Sequence, residues 1–583
     1  MPIHNLDIAQ RFEEFADLLE IKGDNPFRIR AYRNAARTVE DLPHELETMV
    51  AEEKDLTELS DIGKDLADKI HECITTGTIQ TLERLRKELP PHITDLLHIS
   101  GLGPKRVRTI YNDLQVGDLE ELKKAAEAEK IRTLPGLGKK VEQQILEAIR
   151  TKLDTQRRYL RASVISYVNS LTAYLEELDG VNRVTAAGSF RRGRDTIGDL
   201  DLLVLADDPV AVMQRFVEYD EVTDVLAHGE TKSSVVLHSG IQVDLRIVPE
   251  ASYGAALHYF TGSKAHNIAL RKLAQQKQWK LNEYGLFDGN TVVAGKTEDD
   301  VFAALDLSLI PPELRENHGE VEAAQKGTLP ELITATDLRG NLHAHSRWSD
   351  GHNTIREMAE AAIRAGHEYL AITDHSKRLT VAHGLNEDQL VEQIDEIDQL
   401  NAELKDLTIL KGIEVDILED GSLDLDDGVL KLLDIVIVSV HSKFNLPADK
   451  QTERIMRAMD HPLTTLVAHP TGRLLLNRPP YPVDVARLIR HAKQCGCFLE
   501  LNANPQRLDL SDHYCLLAKQ EGVKLAINTD AHNTDDSGHI HAGIAQARRG
   551  WLEKNDVINT RTLKQLRALL KKSGSSRPSA GRK

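Results

Sequence analysis

Two groups of side chains, one purely acidic and one rich in imidazole, carry the chemistry legible in this 583-residue chain. The first group lies in Gly188-Ser189-Phe190-Arg191-Arg192-Gly193, followed by Gly198-Asp199-Leu200-Asp201. In a strand, positions i and i+2 face the same way, so Asp199 and Asp201 converge on one point. A third acid, Asp244, sits in the strand-like run 241–247. Clustered carboxylates repel one another unless cations lie between them. Mg²⁺ suits this set, because it takes oxygen ligands and shares its shell with substrate phosphates. The Gly188-Ser189 turn offers backbone N–H groups and a hydroxyl to a triphosphate, and Arg192 adds a charged fork. The set predicts nucleotidyl transfer. Asp-x-Asp alone reads as an exposed edge strand; the Gly-Ser turn and the spaced third acid distinguish this copy.

The second group lies further along. Of 24 histidines, 14 follow residue 336. Seven apolar, β-rich runs can be traced there, and polar groups gather at the end of each. They deliver His343 and His345 (with Asp350 close behind), His375, Glu414, His441, His469, Asn502, and Asp530 with His532. A barrel of parallel strands with its active groups at the carboxyl ends would give this pattern. Nine of these are candidate ligands: His343, His345, Asp350, His375, Glu414, His441, His469, Asp530 and His532. Mixed imidazole and carboxylate suits Mn²⁺ or Zn²⁺. Nine ligands exceed the coordination of one ion, so two or three ions are expected. Clustered cations activate water and stabilise phosphoryl charge, which predicts phosphoester hydrolysis. A single strand-end histidine is more simply a satisfied polar group, and His352, His367, His461 and His491 are read that way.

The elements that must position these groups follow from pattern and composition. Near the N-terminus a short motif occurs three times: Leu59-Ser-Asp-Ile-Gly63, Ile99-Ser-Gly-Leu-Gly103 and Leu134-Pro-Gly-Leu-Gly138. Each precedes a helical pattern, giving helix, glycine hairpin, helix. Bare backbone at the turn and outward N–H groups at the next helix start can hold a DNA phosphate without reading sequence. Gly101, Gly103 and Lys105, with Gly136, Gly138 and Lys139, are the candidate contacts. The first copy has Asp61 where the others have Gly101 and Gly136. A single copy would read equally well as a helix connector.

Apolar residues at 41% exclude wholesale disorder, and no apolar run approaches the ~20 residues of a membrane span. The N-terminus lacks the pattern of a secretory signal, and four cysteines make no disulfide framework, so a cytoplasmic chain with reduced Cys495 and Cys497 is expected. The net charge of −18 argues against DNA binding through a global field and leaves it to local surfaces.

The hairpins resemble helix-hairpin-helix motifs. The string GSFRRGRDTIGDLDLLV resembles the palm of family X DNA polymerases, the group that includes DNA polymerase beta. Tyr259-Phe260-Thr261-Gly262-Ser263-Lys264-Ala265-His266-Asn267 is similar to that family's nucleotide-selecting segment, and 281–287 to its thumb. The resemblance implies that Tyr259, Phe260 and Gly262 line the sugar of the incoming nucleotide. It implies that Asn267 meets the base edge and Arg271 the templating region. Gly188, Ser189, Arg192 and Gly198 complete the nucleotide site. It also implies a Schiff-base lyase position at Lys69, beside Tyr32. There Phe27 replaces an expected histidine and Asp65 an expected lysine.

Leu342-His-Ala-His-Ser346, Thr373-Asp-His375 and Asp530-Ala-His532 resemble the PHP (polymerase and histidinol phosphatase) family. That resemblance implies one metal on His343, His345, Glu414 and Asp530, a second on Glu414, His441 and His469, and a third on Asp350, His375 and His532. Together the resemblances imply a multidomain chain. It has an α-helical helix-hairpin-helix N-terminal region, an α+β nucleotidyltransferase palm and thumb, and a C-terminal distorted (β/α)7 barrel. The boundaries are 1–85 (helical, lyase-like, first hairpin), 86–150 (fingers, two hairpins), 151–258 (palm), 259–315 (thumb), 316–336 (linker), 337–570 (PHP phosphoesterase) and 571–583 (disordered basic tail). A family X core fused to a PHP domain implies a bacterial, monomeric DNA repair enzyme. It would act on gapped or nicked DNA with deoxynucleoside triphosphates, adding 3′–5′ exonuclease, abasic-site cleavage and 3′-end trimming. Two rivals are a non-templated nucleotidyltransferase fused to a small-molecule phosphatase, and a DNA-binding scaffold with degenerate sites. The three hairpins speak against the first and the intact acids against the second.

Overall fold

The structure, a computed structural model, describes residue 3 and residues 5–42, 46–99, 102–152 and 158–575. The chain divides into two units. One comprises Met1–Tyr159, Ser163–Leu175 and Val210–Asp244; the other comprises Leu160–Ala162, Glu176–Pro209 and Leu245–Lys583.

In the first unit the repeated motif is a repeated structure. Helices Lys64–Thr76 and Pro104–Leu114 are capped by Gly63 and Gly103, and Lys139–Lys152 starts directly after Gly138. Ahead of each glycine an apolar residue, Ile62, Leu102 or Leu137, is buried and pins the turn to the core. A Cβ added at Gly63, Gly103 or Gly138 would meet nothing within 4 Å, so the turn ahead of each helix start is open on that side. Lys105 and Lys139 stand exposed in the first turn of their helices. Gly136 has φ +75°, and Asp61 takes φ +56° at the matching place. Aspartate tolerates this left-handed region better than most residues, so the departure in the first copy keeps the turn. Gly101 lies outside the described residues. One apolar cluster runs from Ile3 to Ile149 across the boundary expected at 85/86, with Phe15 stacked on Tyr32 at 4.3 Å.

Five strands form the palm sheet: β1 (Val181–Ala186), β2 (Asp199–Ala206), β3 (Val222–His228), β4 (Lys232–Leu237) and β5 (Gln242–Ile247). Their order is β1-β2-β5-β4-β3, with β1 antiparallel to β2 and β3 antiparallel to β4. A small antiparallel sheet follows from β6 (Lys280–Asn282), β7 (Gly285–Asp288) and β8 (Thr291–Ala294).

Seven parallel strands then succeed one another in chain order: β9 (Gly340–Asn341), β10 (Tyr369–Ile372), β11 (Thr408–Asp416), β12 (Ile435–Ser439), β13 (Leu466–Val467), β14 (Phe498–Asn502) and β15 (Leu525–Asn528). A bridge between Ala344 and Ala531, and reciprocal hydrogen bonds between Asn341 and Thr529, bring the first and last strands together, so the sheet is nearly closed. The strands are buried on both faces, as their unbroken apolar runs require. All seven runs read from the sequence are strands. β11 is longer than expected and pairs with β12 through Asp416, which places Glu414 inside the strand.

Two stretches carry structure that the sequence reading did not include. The stretch 316–336 carries the helix Glu320–Lys326, and Glu320 is buried. Its carboxylate accepts from the N–H groups of Asn317 and His318 and bonds His266 Nδ1 at 2.7 Å. Composition alone made this stretch look like a connector. At the C-terminus the helix Leu563–Ser575 continues past Lys571; residues 576–583 lie outside the described residues.

Candidate active sites

The palm cleft is built from β2 outward. Along this strand Leu200 is fully buried while Asp199 and Asp201 on the opposite face are half-buried. This is the period-two pattern expected of the pair. The chain reaches Asp201 from the other side through the turn at Gly188, which has φ +57°. A Cβ there would lie 2.2 Å from Asp201 Oδ2, so only glycine lets the backbone come this close. Asp199 and Asp201 share an open cleft of about 530 Å³ with Gly188, Ser189, Arg192, Tyr259, Phe260, Gly262, Asn267 and Arg271. Lys264 and Ile268 also line it, and neither was singled out in the sequence.

The nucleotide-selecting segment is held by its own side chains. Asn267 Nδ2 donates to the Tyr259 carbonyl at 2.8 Å, and the guanidinium of Arg271 lies 5.2 Å from the Tyr259 ring centre. Tyr259 and Phe260 meet edge to face at 5.1 Å. Behind them Arg191 donates to Thr261 Oγ1 at 2.7 Å and pairs with Glu298, which also pairs with Arg315. Burial opposes the charge on Glu298, but the two guanidiniums outweigh it and bring its pKa down to about 2. The lining suits a nucleoside triphosphate: three cationic side chains for phosphate, two aromatic rings, and carboxylate oxygens for a hard cation. Asp244 stands on β5, where Gln242 Nε2 donates to its Oδ1 at 2.9 Å and Lys232 Nζ lies 3.7 Å from its Oδ2. Asp244 and Gly198 are not among the residues lining the cleft.

In the barrel, all nine predicted ligands gather at the carboxyl ends of the strands. His345, Asp350, His375 and His532 can direct one ligand atom each to within 4.8 Å of one another. So can His343, His345 and Asp530, and so can His375, Glu414 and His441. His469 joins through Nε2, 2.9 Å from Glu414 Oε1. Glu414 is the hub, with His375 Nδ1 at 2.9 Å, His441 Nε2 at 3.4 Å and His343 Nε2 at 3.5 Å. Burial works against the charged form of His375, but Glu414 and Asp350 outweigh it and push its pKa up to about 10. In the same way, Asp350 and Asp530 overcome burial at His532 and raise it to about 9. Burial dominates at His345, beside two other imidazoles, and lowers it to about 3. Several buried atoms of the bowl have no hydrogen-bond partner: His343 Nε2, His345 Nδ1, His375 Nδ1, Glu414 Oε2 and His469 Nδ1. As a rule, buried polar atoms in proteins find a partner. These orphans, aimed at one another's ligand atoms, fit metal ions.

Sequence reasoning missed the shell that holds the ligands. Glu500, fully buried on β14, binds His343 Nδ1 at 2.8 Å and accepts from the His469 N–H at 2.8 Å. Asn502 Nδ2 donates to Glu500 and Asp530. Asp374, also buried, collects Ser346, Ser349 and Gln393. An acid in the middle of an apolar parallel strand, as in Phe498-Leu-Glu-Leu-Asn502, was the available signal, because burial of a charge needs a partner.

Lys69 is buried in the first unit, and its Nζ donates to Asp65 Oδ1 at 2.5 Å. A Schiff-base nucleophile at this amine would have to give up the Asp65 contact before attacking.

Comparison with known proteins matches the chain to four family descriptions. They are a helix-hairpin-helix domain over residues 3–79, a SAM-like helix-hairpin-helix tandem over 93–151, a DNA polymerase beta thumb over 256–316 and a PHP domain over 341–541. The chain is 42% identical over 578 residues, 98% of its length and 100% of the relative's, to the DNA polymerase/3′-5′ exonuclease PolX of Bacillus subtilis. It is 33% identical over 236 residues, 38% of the chain and 89% of the relative, to a probable phosphatase of a Thermoanaerobacter species. A probable phosphatase of Acetivibrio thermocellus is 30% identical over 210 residues, 34% of the chain and 82% of the relative.

Proposed function

The chain belongs to the bacterial PolX family of DNA polymerase/3′-5′ exonucleases, and from that premise we propose a division of labour between its two sites. The palm cleft adds deoxynucleotides to a primer end, templated by the opposite strand. The barrel removes nucleotides from the 3′ end. The observation that carries this reading is the gathering of Asp199, Asp201, Ser189, Arg192 and the 259–271 segment in one cleft, in a chain that also holds the nine-ligand bowl.

In the cleft, Ser189 and Arg192 hold the triphosphate. Tyr259, Phe260 and Gly262 press on the sugar, Asn267 meets the base edge, and Arg271 reaches the templating region. Asp199 and Asp201 would hold Mg²⁺, and Asp244 helps to deprotonate the primer 3′-hydroxyl. In the bowl, the nine ligands would hold two or three Mn²⁺ or Zn²⁺ ions, and Glu500 fixes the orientation of His343. Bound divalent ions would activate the attacking oxygen and spread phosphoryl charge. The hairpins at Gly101–Gly103 and Gly136–Gly138, with Lys105 and Lys139, grip backbone phosphates. The substrates are gapped or nicked duplexes in base excision repair and end joining, with abasic-site cleavage and 3′-end trimming as further activities of the barrel.

A gapped primer–template supplied with all four deoxynucleotides, run separately in Mg²⁺ and Mn²⁺, tests the reading. Extension in Mg²⁺ and shortening in Mn²⁺ are expected; neither extension nor shortening of DNA in either ion would defeat it. The likeness to probable phosphatases supports a second reading of the hydrolytic site, phosphomonoester cleavage. Comparing a gapped duplex carrying a 3′-hydroxyl primer, which offers only phosphodiesters for cleavage, with free phosphate monoesters decides between the two.

A further inference from the structure

Among the barrel's side chains, Arg549 bonds directly to the Arg192 segment of the palm cleft. Arg549 ends the helix Ile540–Arg549, and its side chain is 2% exposed. Its Nη1 donates to the backbone carbonyl of Arg192 at 2.9 Å and to Glu316 Oε1 at 3.0 Å, while Nη2 donates to Asp512 Oδ2 at 2.5 Å. The same Glu316 oxygen accepts from Arg192 Nε at 3.0 Å. On its other edge, Arg192 Nη1 donates to the Thr261 carbonyl at 2.6 Å. Two of the three guanidinium nitrogens of Arg192 are thus fixed. Among the described residues no hydrogen bond engages its Nη2, which is left for an anion in the cleft that Arg192 lines.

The backbone around Arg192 also rests on the barrel. Gly193 has φ +67°, and a Cβ there would come within 3.5 Å of Ala545 on the same barrel helix. Asp195 pairs with Arg473 at 3.5 Å. Burial opposes the charge on Glu316, but Arg192 and Arg549 outweigh it and hold its carboxyl below the usual range. A long arginine stem left free would have to be ordered each time a nucleotide binds, and ordering it beforehand removes that cost from binding.

We infer that Arg549 is a positioning residue for nucleotidyl transfer: from the barrel domain it sets Glu316 and the backbone of Arg192 so that the free edge of Arg192 meets the triphosphate. The inference rests on the reading of the cleft given above. It makes the barrel part of the nucleotide-binding apparatus, separately from its own hydrolytic site.

The test is single-nucleotide insertion into a gapped duplex by the full chain, with KM and kcat for the deoxynucleotide measured for Arg549→Met, Arg549→Lys, Glu316→Gln, Arg192→Ala and the Arg192→Ala/Arg549→Met double variant. Loss of a charge-assisted contact at this point should raise KM about tenfold in Arg549→Met, with a much smaller change in kcat. Arg549→Lys should recover part of the loss, and Arg549→Met should add nothing in the Arg192→Ala background. An unchanged KM in Arg549→Met, or effects that multiply in the double variant, overturns the inference. If Arg549→Met fails to fold by circular dichroism, Glu316→Gln and Arg549→Lys carry the test, and an unchanged KM in both overturns it. If Arg192→Ala itself leaves KM unchanged, the assignment of the cleft fails and the inference with it. If Arg192→Ala raises KM and Arg549→Met does not, the inference alone fails.

Discussion

In the palm cleft, Asp199 and Asp201 stand half-buried on an open strand face, lined by cationic and aromatic side chains that face outward into the cleft. In the barrel, six histidines and three acids lean on one another, most of them buried. The cleft draws its acid pair from one strand, and the geometry of that pair is local. The bowl draws its ligands from residues 343 to 532, so its geometry exists only once seven strands have closed. The cleft supplies oxygen alone and depends on substrate phosphates to complete a cation's shell. The bowl already pairs imidazole with carboxylate, as at Glu414 with His375 and His469. Its dependence is on the residues that hold those ligands in place.

The contrast can be broken most forcefully in the bowl. His343→Ala with His345→Ala should strip bound metal and cut nuclease activity by about 10³-fold or more, the scale expected when metal assistance is lost. Elemental analysis of the purified variant checks this, and unchanged metal content would refute the assignment. In the cleft, Gly188→Ala would drive a Cβ onto Asp201 and should lower incorporation by about 10²-fold, the scale of an ångström misplacement at a reacting centre. Nuclease activity should be untouched; equal loss of both would point to general unfolding. A smaller effect sharpens the comparison. Glu500→Gln removes the acid behind His343 and should weaken metal affinity or nuclease activity by roughly 10–100-fold. A Mn²⁺ titration of nuclease rate reads it, and insertion kinetics should not move. The smallest effect is expected away from both sites: Gly136→Ala places a Cβ at φ +75° and should cost about 1 kcal/mol in a denaturant titration.

Legibility differed between the regions for physical reasons. Asp199 and Asp201 were legible because strand period two is short and needs no partner. The gathering of the nine barrel side chains was legible because parallel strands buried on both faces carry most of their polar residues near their ends. Glu414 is the exception: β11 continues in register with β12 past it, and its apolar neighbours gave no sign of that. Glu500 went unread because a lone acid in an apolar strand becomes meaningful only when its buried partners, His343 and the His469 N–H, are known. The buried helix within 316–336 went unread for the same reason. Its charges suggested solvent, yet Glu316 and Glu320 are held by Arg192, Arg549 and His266, residues 54 to 233 positions away in sequence. Tertiary charge pairing of this kind leaves no local pattern. The hairpins were readable even in the altered copy, because Asp61 takes the backbone shape that glycine takes at Gly136.

The central claim is that the two sites act independently on DNA, and one crossed experiment tests it. A labelled gapped primer–template is incubated with deoxynucleotides and both Mg²⁺ and Mn²⁺, using Asp199→Ala/Asp201→Ala in one series and His343→Ala/His345→Ala in the other. The first variant should shorten the primer without extending it, and the second should extend it without shortening it. Extension by the aspartate variant, or shortening by the histidine variant, would contradict the account.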